Sequence, residues 1–190
     1  MHGKSSAFNG TATVLRALAL AAPRVPGLRV VMFQWVDRTP VSARAKLEAE
    51  VSRLGLSDVV DLRAPIQMAQ VPEVLQSCDL GMIGHGRLLG AGTQPNRLYE
   101  YMASGLPVLA PVYDEGIAPV IRGEECGLLA DFEDPASIAD AIVRLRNNPE
   151  MCREMGRRAR EAFLARHNWE GEVAPLLETI RNWFPDRSPA

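Results

Sequence analysis

The apolar residues of this chain alternate between two spacings. Short, almost uninterrupted apolar runs are typical of parallel strands buried on both faces, and apolar residues three or four positions apart predict amphipathic helices. Because the two patterns alternate, the sequence predicts an α/β fold, with helices on both faces of one parallel sheet. The runs lie at residues 28–33, 59–62, 79–83, 106–110 and 127–129, and the helical spacing covers residues 9–22, 42–54, 71–77, 95–104, 117–122, 135–147, 149–163 and 168–184.

Residues 92–110 predict a loop, a short helix, a tight stop and a buried strand. Thr93 or Gln94 can begin the helix, and Pro95 suits its first position because that residue needs no N–H partner. Gly105 suits the left-handed residue that ends a helix. The helix is therefore only two to three turns long.

This short helix has one packing face and one polar face. Leu98 and Met102 are four residues apart and predict the packing face, whereas Arg97, Glu100 and Ser104 share the opposite face. Arg97 lies in the first turn, where a cation opposes the helix dipole at a cost of roughly 0.3–1 kcal/mol. An anion bound there would remove that cost.

The polar face therefore indicates a site for a diphosphate, with Glu100 accepting hydrogen bonds from a sugar diol. The alternative is an exposed Arg97–Glu100 pair that contributes little, and spacing alone supports both interpretations about equally. Loops at residues 63–66, 84–94 and 111–116 follow predicted strands. Ligands of parallel sheets bind beyond the carboxyl ends of the strands, so convergence of these loops favours a pocket.

Composition narrows the function classes. A chain of 190 residues with 47% apolar residues suits one domain with a real core. The net charge of −2 and the lack of a basic run argue against nucleic-acid binding. No apolar run approaches the roughly 20 residues of a membrane span, so we expect a cytoplasmic protein. Neither the cysteines nor the histidines have metal-ligand spacing, so we expect reduced thiols and no structural metal: Cys78, Cys126, Cys152, His2, His85 and His167.

Three segments carry a family likeness. Residues 95–108 read PNRLYEYMASGLPV, residues 116–121 read GIAPVI and residues 127–129 read GLL. They resemble the donor-binding half of the group 1 (family 4) glycosyltransferases of the GT-B fold. The likeness covers essentially the whole chain.

This resemblance implies one Rossmann-like half of a GT-B enzyme. Such enzymes transfer a sugar from a nucleotide-diphosphate donor to an acceptor hydroxyl with retention at the anomeric carbon, usually without a bound metal or other cofactor. The acceptor domain, or a partner chain that supplies it, is then an expected partner. A cytoplasmic location is implied, and peripheral association of the full-length protein with the inner membrane face is left open.

The resemblance also implies donor contacts but no catalytic residue. Glu100 matches the carboxylate that holds the ribose hydroxyls, and Arg97 matches a basic residue near the diphosphate. Ile66 matches a loop position whose backbone meets the base, and the N–H groups of Gly116 and Ile117 match those that face the phosphate or sugar. The remaining implied donor contacts are Lys4, Thr93, Gln94 and Asn96.

The chain departs from the family pattern in several places. Gly92 stands where many relatives have a second glutamate, and Pro119 stands where many have another. The length suffices for the donor half alone, so we expect donor binding without efficient transfer. The first strand, expected before Gly3, is almost wholly missing. An incomplete sheet, or exposed Trp169 and Trp183 on the last helix, predicts homodimer contacts.

Two other function classes fit parts of the sequence. A non-catalytic nucleotide- or sugar-binding module that kept the fold is the main alternative, because Gly92 replaces an acidic residue. A dinucleotide-dependent oxidoreductase is disfavoured, because Gly84 and Gly86 lack the third glycine of the fingerprint. His85 between them is interpreted as part of a flexible loop.

Overall fold

The computed structural model describes residues 10–33, 41–87 and 94–184, with the backbone alone for residues 41–43. The strands are β1 (Val30–Phe33), β2 (Val60–Arg63), β3 (Gly81–Met82), β4 (Val108–Pro111) and β5 (Gly127–Ala130). The helices are α1 (Thr11–Ala21), α2 (Val41–Arg53), α3 (Val71–Gln76), α4 (Asn96–Ala103), α5 (Ile117–Glu124), α6 (Pro135–Asn147), α7 (Pro149–Ala165) and α8 (Trp169–Trp183). Single 3₁₀ turns at Ala22–Arg24 and Met68–Gln70 follow α1 and precede α3.

All strand pairs in the described residues are parallel, as predicted. They form a two-stranded sheet, β1–β2, and a three-stranded sheet in the order β3–β4–β5. The prediction of one continuous sheet is therefore not what these ranges show. β3 has only two residues, Gly81 and Met82, which pair with Val108 and Leu109 of β4, and no pairing joins it to β1 or β2 among the described residues.

Helices cover both faces of the three-stranded sheet, which confirms the α/β prediction. Val108 and Ala110 of β4 pack into a core shared with α4, α5 and α7, whereas Leu109 between them packs into a second core shared with α1 and α6. This alternation follows from the two-residue period of a strand. β4 is buried along its whole length because both of its faces are covered.

The short helix α4 forms nearly where the sequence places it. Leu98 and Met102 are fully buried, and Gly105 ends the helix with φ of +70°. Pro95, however, is not the first helical residue: its ψ of 140° is extended, so it caps the helix and Asn96 is the first residue inside.

The three C-terminal helices begin in different ways. Asp134 accepts hydrogen bonds from the N–H groups of Ala136 and Ser137, at 2.9 and 3.2 Å, as its cap role predicts. Asn148 occupies the same position before α7, with Pro149 as the first helical residue, but its side-chain amide donates to the carbonyl of Arg144, 2.7 Å away, at the end of α6.

The last helix packs little against the body of the chain. Asn168 caps it by accepting from the N–H of Gly171 at 2.7 Å. Trp169 and Trp183 are 76% and 70% exposed, which agrees with the exposed aromatic face expected from the sequence. Among the helices of the described ranges, none combines the length and apolar character needed to cross a bilayer.

Candidate functional site

A buried hydrogen bond joins two of the loops at the carboxyl ends of the strands. His85 lies three residues after β3, and Asp114 lies three residues after β4. The imidazole Nε2 of His85 and the carboxylate Oδ2 of Asp114 are 2.5 Å apart, and their side chains are only 8% and 0% exposed. A hydrogen bond shielded from water to this degree is stronger than one at the surface.

The second carboxylate oxygen of Asp114 holds the start of α5. Oδ1 accepts hydrogen bonds from the backbone N–H groups of Gly116 and Ile117, each at 2.8 Å. Asp114 therefore caps the start of α5 through its side chain. The sequence predicts that these two N–H groups face a donor, so a donor phosphate would have to compete with Asp114 for them.

The start of α4 is joined to the same turn. The side-chain amide of Gln94 donates to the carbonyl of Gly116 at 3.3 Å, and the hydroxyl of Tyr99 donates to the amide oxygen of Gln94 at 2.7 Å. Gln94 immediately precedes Pro95, the cap of α4. The loop that enters α4 and the turn that enters α5 therefore meet, as predicted for loops at this edge of the sheet.

Tyr113, which precedes Asp114 in the chain, also contacts His85. Its hydroxyl donates to the carbonyl of His85 at 2.8 Å, and the guanidinium carbon of Arg87 lies 4.5 Å from the centre of its ring. Burial raises the pKa of Tyr113, with the nearby carboxylates of Glu133 and Asp131 acting in the same direction. The phenol therefore stays protonated and keeps donating at any ordinary pH.

Glu100 lines an open hollow of about 600 Å³ between the carboxyl-terminal half of α4, α3 and α7. One of its carboxylate oxygens, Oε2, is shielded from solvent. The hollow has an apolar wall from the segment around α3 and a polar wall from α4 and α7. Its lining includes Met68, Val71, Leu75, Glu100, Ser104 and Arg160.

Among the described residues, the lining of this hollow does not include Ile66, Arg97, Gly116 or Ile117. Ile66 is partly buried in the loop after β2, two residues before Met68. Arg97 is partly exposed in the first turn of α4. Asn96 is exposed and lines a smaller hollow of about 270 Å³ that also reaches Glu100. Lys4, Thr93 and the departure at Gly92 lie outside the described residues.

The pairing of His85 with Asp114 is not anticipated by the sequence patterns, which indicate a flexible loop at His85. One signal was available. Each residue lies only a few positions beyond a predicted strand, and the carboxyl ends of neighbouring parallel strands lie side by side. The two residues are 29 positions apart in the chain, so no local sequence pattern indicates their pairing.

Comparison with known proteins places the chain in a family. The sequence profile described as "Glycosyl transferases group 1" matches residues 9–162. A D-inositol 3-phosphate glycosyltransferase of Thermomonospora curvata is 30% identical over 185 residues, which cover 93% of this chain and 40% of that protein. The chain thus spans well under half the length of this curated relative.

Solved structures agree with this placement. Anabaena HepE, crystallised with UDP-glucose, has a TM-score of 0.80 at 18% identity, over 95% of this chain and 48% of HepE. The C-terminal domain of the group 1 glycosyl transferase LpcC from Francisella tularensis has a TM-score of 0.73 at 17% identity, over 89% of this chain and 84% of that domain. The chain therefore belongs to the group 1 glycosyltransferases, and it corresponds to their C-terminal, Rossmann-like GT-B domain.

Proposed function

We propose that this chain binds a nucleotide-diphosphate sugar and forms the donor half of a retaining glycosyltransferase, which passes the sugar to an acceptor hydroxyl. The observation that carries the proposal is the position of Glu100, whose carboxylate lines a hollow of about 600 Å³ that has an apolar wall on its α3 side. HepE, which shares the fold of this chain, was crystallised with UDP-glucose, and that ligand supports the same ligand class here.

The chemistry of the hollow fits a nucleoside. A carboxylate can accept two hydrogen bonds from the cis-diol of a ribose, and charge-assisted bonds of this kind are the stronger ones. Met68 and Val71 offer an apolar wall to the flat face of a base. Arg97, in the first turn of α4, supplies a cation on the side where the diphosphate would follow the ribose.

Transfer itself requires more than this chain provides. Sugar transfer needs an acceptor held in line with the anomeric carbon and water kept out of the cleft. The Thermomonospora curvata relative and HepE are each more than twice as long as the matched region, and we assign the acceptor side to the part that this chain does not span. The isolated chain is then expected to bind donor without efficient turnover.

Calorimetric titration with UDP, GDP and ADP, and with the matching nucleotide sugars, tests the proposal. At least one nucleotide should bind, and Glu100→Gln should weaken its affinity by about 10- to 100-fold, the effect of losing a hydrogen bond to a charged group. Glu48→Gln is the matched control, because Glu48 is exposed on α2 and pairs with Arg44. Binding should be unchanged by EDTA, since no metal is expected.

Two results would count against the proposal. Indifference to every nucleotide would favour a module that kept the fold and lost the ligand. Equal binding by wild type and Glu100→Gln would remove the carboxylate from the site.

A further inference from the structure

We infer that His85 is a positioning residue for donor binding, acting through Asp114 on the start of α4, the helix that carries Arg97 and Glu100. The inference rests on the proposed function for its ligand. Its physical basis is a continuous set of hydrogen bonds that joins His85 to the starts of α5 and α4.

The first part of the set fixes α5. His85 holds one oxygen of Asp114 at 2.5 Å, and the other oxygen holds the N–H groups of Gly116 and Ile117 at 2.8 Å. Because both side chains are almost fully buried, removing the imidazole would leave a carboxylate oxygen in the interior without its partner. Such a group is costly unless the loop moves to bring water to it.

The second part carries this constraint to α4. The carbonyl of Gly116 accepts from Gln94, and Gln94 accepts from Tyr99 on the first turns of α4. The Gly116 turn is thus bonded on its N–H side to Asp114 and on its carbonyl side to the chain entering α4. A shift of this turn would move both helix starts together.

Contacts to the backbone of His85 hold this residue in place at one end of the hydrogen-bond set. Its carbonyl accepts from Tyr113, and its backbone lies against Gly10 at the start of α1, where a β-carbon on Gly10 would come within 3.3 Å of the His85 carbonyl carbon. Gly10 also has φ of +66°, so this close approach needs a glycine. The start of α1 and the turn at residues 113–114 therefore both contact His85.

The test compares UDP binding by three variants. His85→Ala removes the donor to Asp114, and His85→Gln keeps one, because a glutamine amide nitrogen can replace imidazole Nε2. Ile142→Ala, in the buried stripe of α6, is the control for lowered stability. We expect His85→Ala to lose about fivefold or more in affinity, a typical coupling between groups in one hydrogen-bond network, while the other two stay within about twofold.

A ligand-free readout separates this inference from the proposed function. The backbone amide resonances of residues 96–98 should shift in His85→Ala and stay in place in His85→Gln. Wild-type affinity in His85→Ala, or equal loss in both His85 variants, overturns the positioning role. If wild type binds no nucleotide, the proposed function fails; shifted α4 resonances in His85→Ala alone then support the positioning role, and unshifted ones overturn it.

Discussion

The ring of Tyr101 lies directly against the backbone of Gly81. A β-carbon built on Gly81 would come within 2.3 Å of two ring carbons of Tyr101. Tyr101 is only 1% exposed, and its hydroxyl donates to the carbonyl of Met82 at 3.3 Å. The helix that carries the candidate site therefore closes on β3 with no room for a side chain between them.

The first prediction concerns this contact. Gly81→Ala should lower the free energy of unfolding by about 1–3 kcal/mol, because a close-packed ring or strand must shift to admit the methyl group. Urea unfolding followed by circular dichroism measures the change. Since α4 also carries Glu100, the same variant should weaken nucleotide binding if the proposed function holds.

Gly123 provides the matched control. It lies in α5, is exposed, and would place a β-carbon with nothing within 4 Å. Gly123→Ala should leave stability unchanged or raise it by up to about 1 kcal/mol, because alanine loses less backbone entropy in a helix. Equal destabilisation by the two substitutions would contradict the close contact at Gly81.

The second prediction concerns the starts of α6 and α7. Asp134→Ala should destabilise the chain by about 0.5–2 kcal/mol, because two N–H groups of α6 lose their acceptor. Asn148→Ala should cost less, since it loses one exposed bond to Arg144 and caps no N–H of α7 among the described residues. Thermal unfolding of both variants measures the order, and the reverse order would contradict these assignments.

Whether a sequence prediction succeeds depends on how far apart in the chain the interacting residues lie. Gly105 was predictable because a positive φ at the end of a helix depends on a few neighbouring residues. Pro95 was misplaced by one residue, since first-turn and cap positions share sequence preferences. The bond from the side chain of Asn148 to Arg144 was not predictable, because an asparagine can bond the helix before it as readily as the helix after it.

The candidate site was predictable only on one side. Glu100 and Arg97 were found from their spacing on one helix, but the part of the hollow that α7 lines was not. Arg160 of α7 lies on the same polar wall as Glu100 and donates to the carbonyl of Ala103, 57 residues away in the chain. Helix spacing along α7 gives no sign of such a contact, which depends on how helices pack in three dimensions.

The third prediction is a pH dependence of stability. Hydrogen bonds from Arg166, and then from His167 at 2.9 Å, lower the pKa of Glu124 below its ordinary value of 4.5. A lowered folded pKa means that Glu124 adds stability above about pH 4.5, and that this contribution is lost as the pH falls toward the folded value. Glu124→Gln should therefore be less stable than wild type at pH 7, with the difference shrinking below pH 4.5.

Thermal unfolding between pH 7 and pH 3 measures this difference. Glu178→Gln is the control, because it removes one exposed carboxylate of α8 and leaves the contacts of Glu124 intact. Its cost should be small at neutral pH, as for most surface substitutions. A constant difference between Glu124→Gln and wild type across the range would contradict the role of this carboxylate.

The fourth prediction concerns the aromatic face of α8. Trp183 is 70% exposed, so Trp183→Ser should change the free energy of unfolding of the isolated chain by less than about 0.5 kcal/mol. Ile142→Ala, a truncation at a residue only 5% exposed in α6, should cost about 2–5 kcal/mol. Urea unfolding at low protein concentration compares the two.

The same variant tests whether α8 joins two copies of the chain. If the exposed aromatic face pairs with itself, the wild type should show twice the monomer mass in light scattering, and its melting temperature should rise with concentration. Trp183→Ser should then shift the mass toward the monomer, because a large aromatic side chain at the centre of a small interface carries much of its energy. A wild type that stays monomeric at every concentration would contradict the predicted homodimer. A different chain segment would then be the candidate partner for the aromatic face of α8.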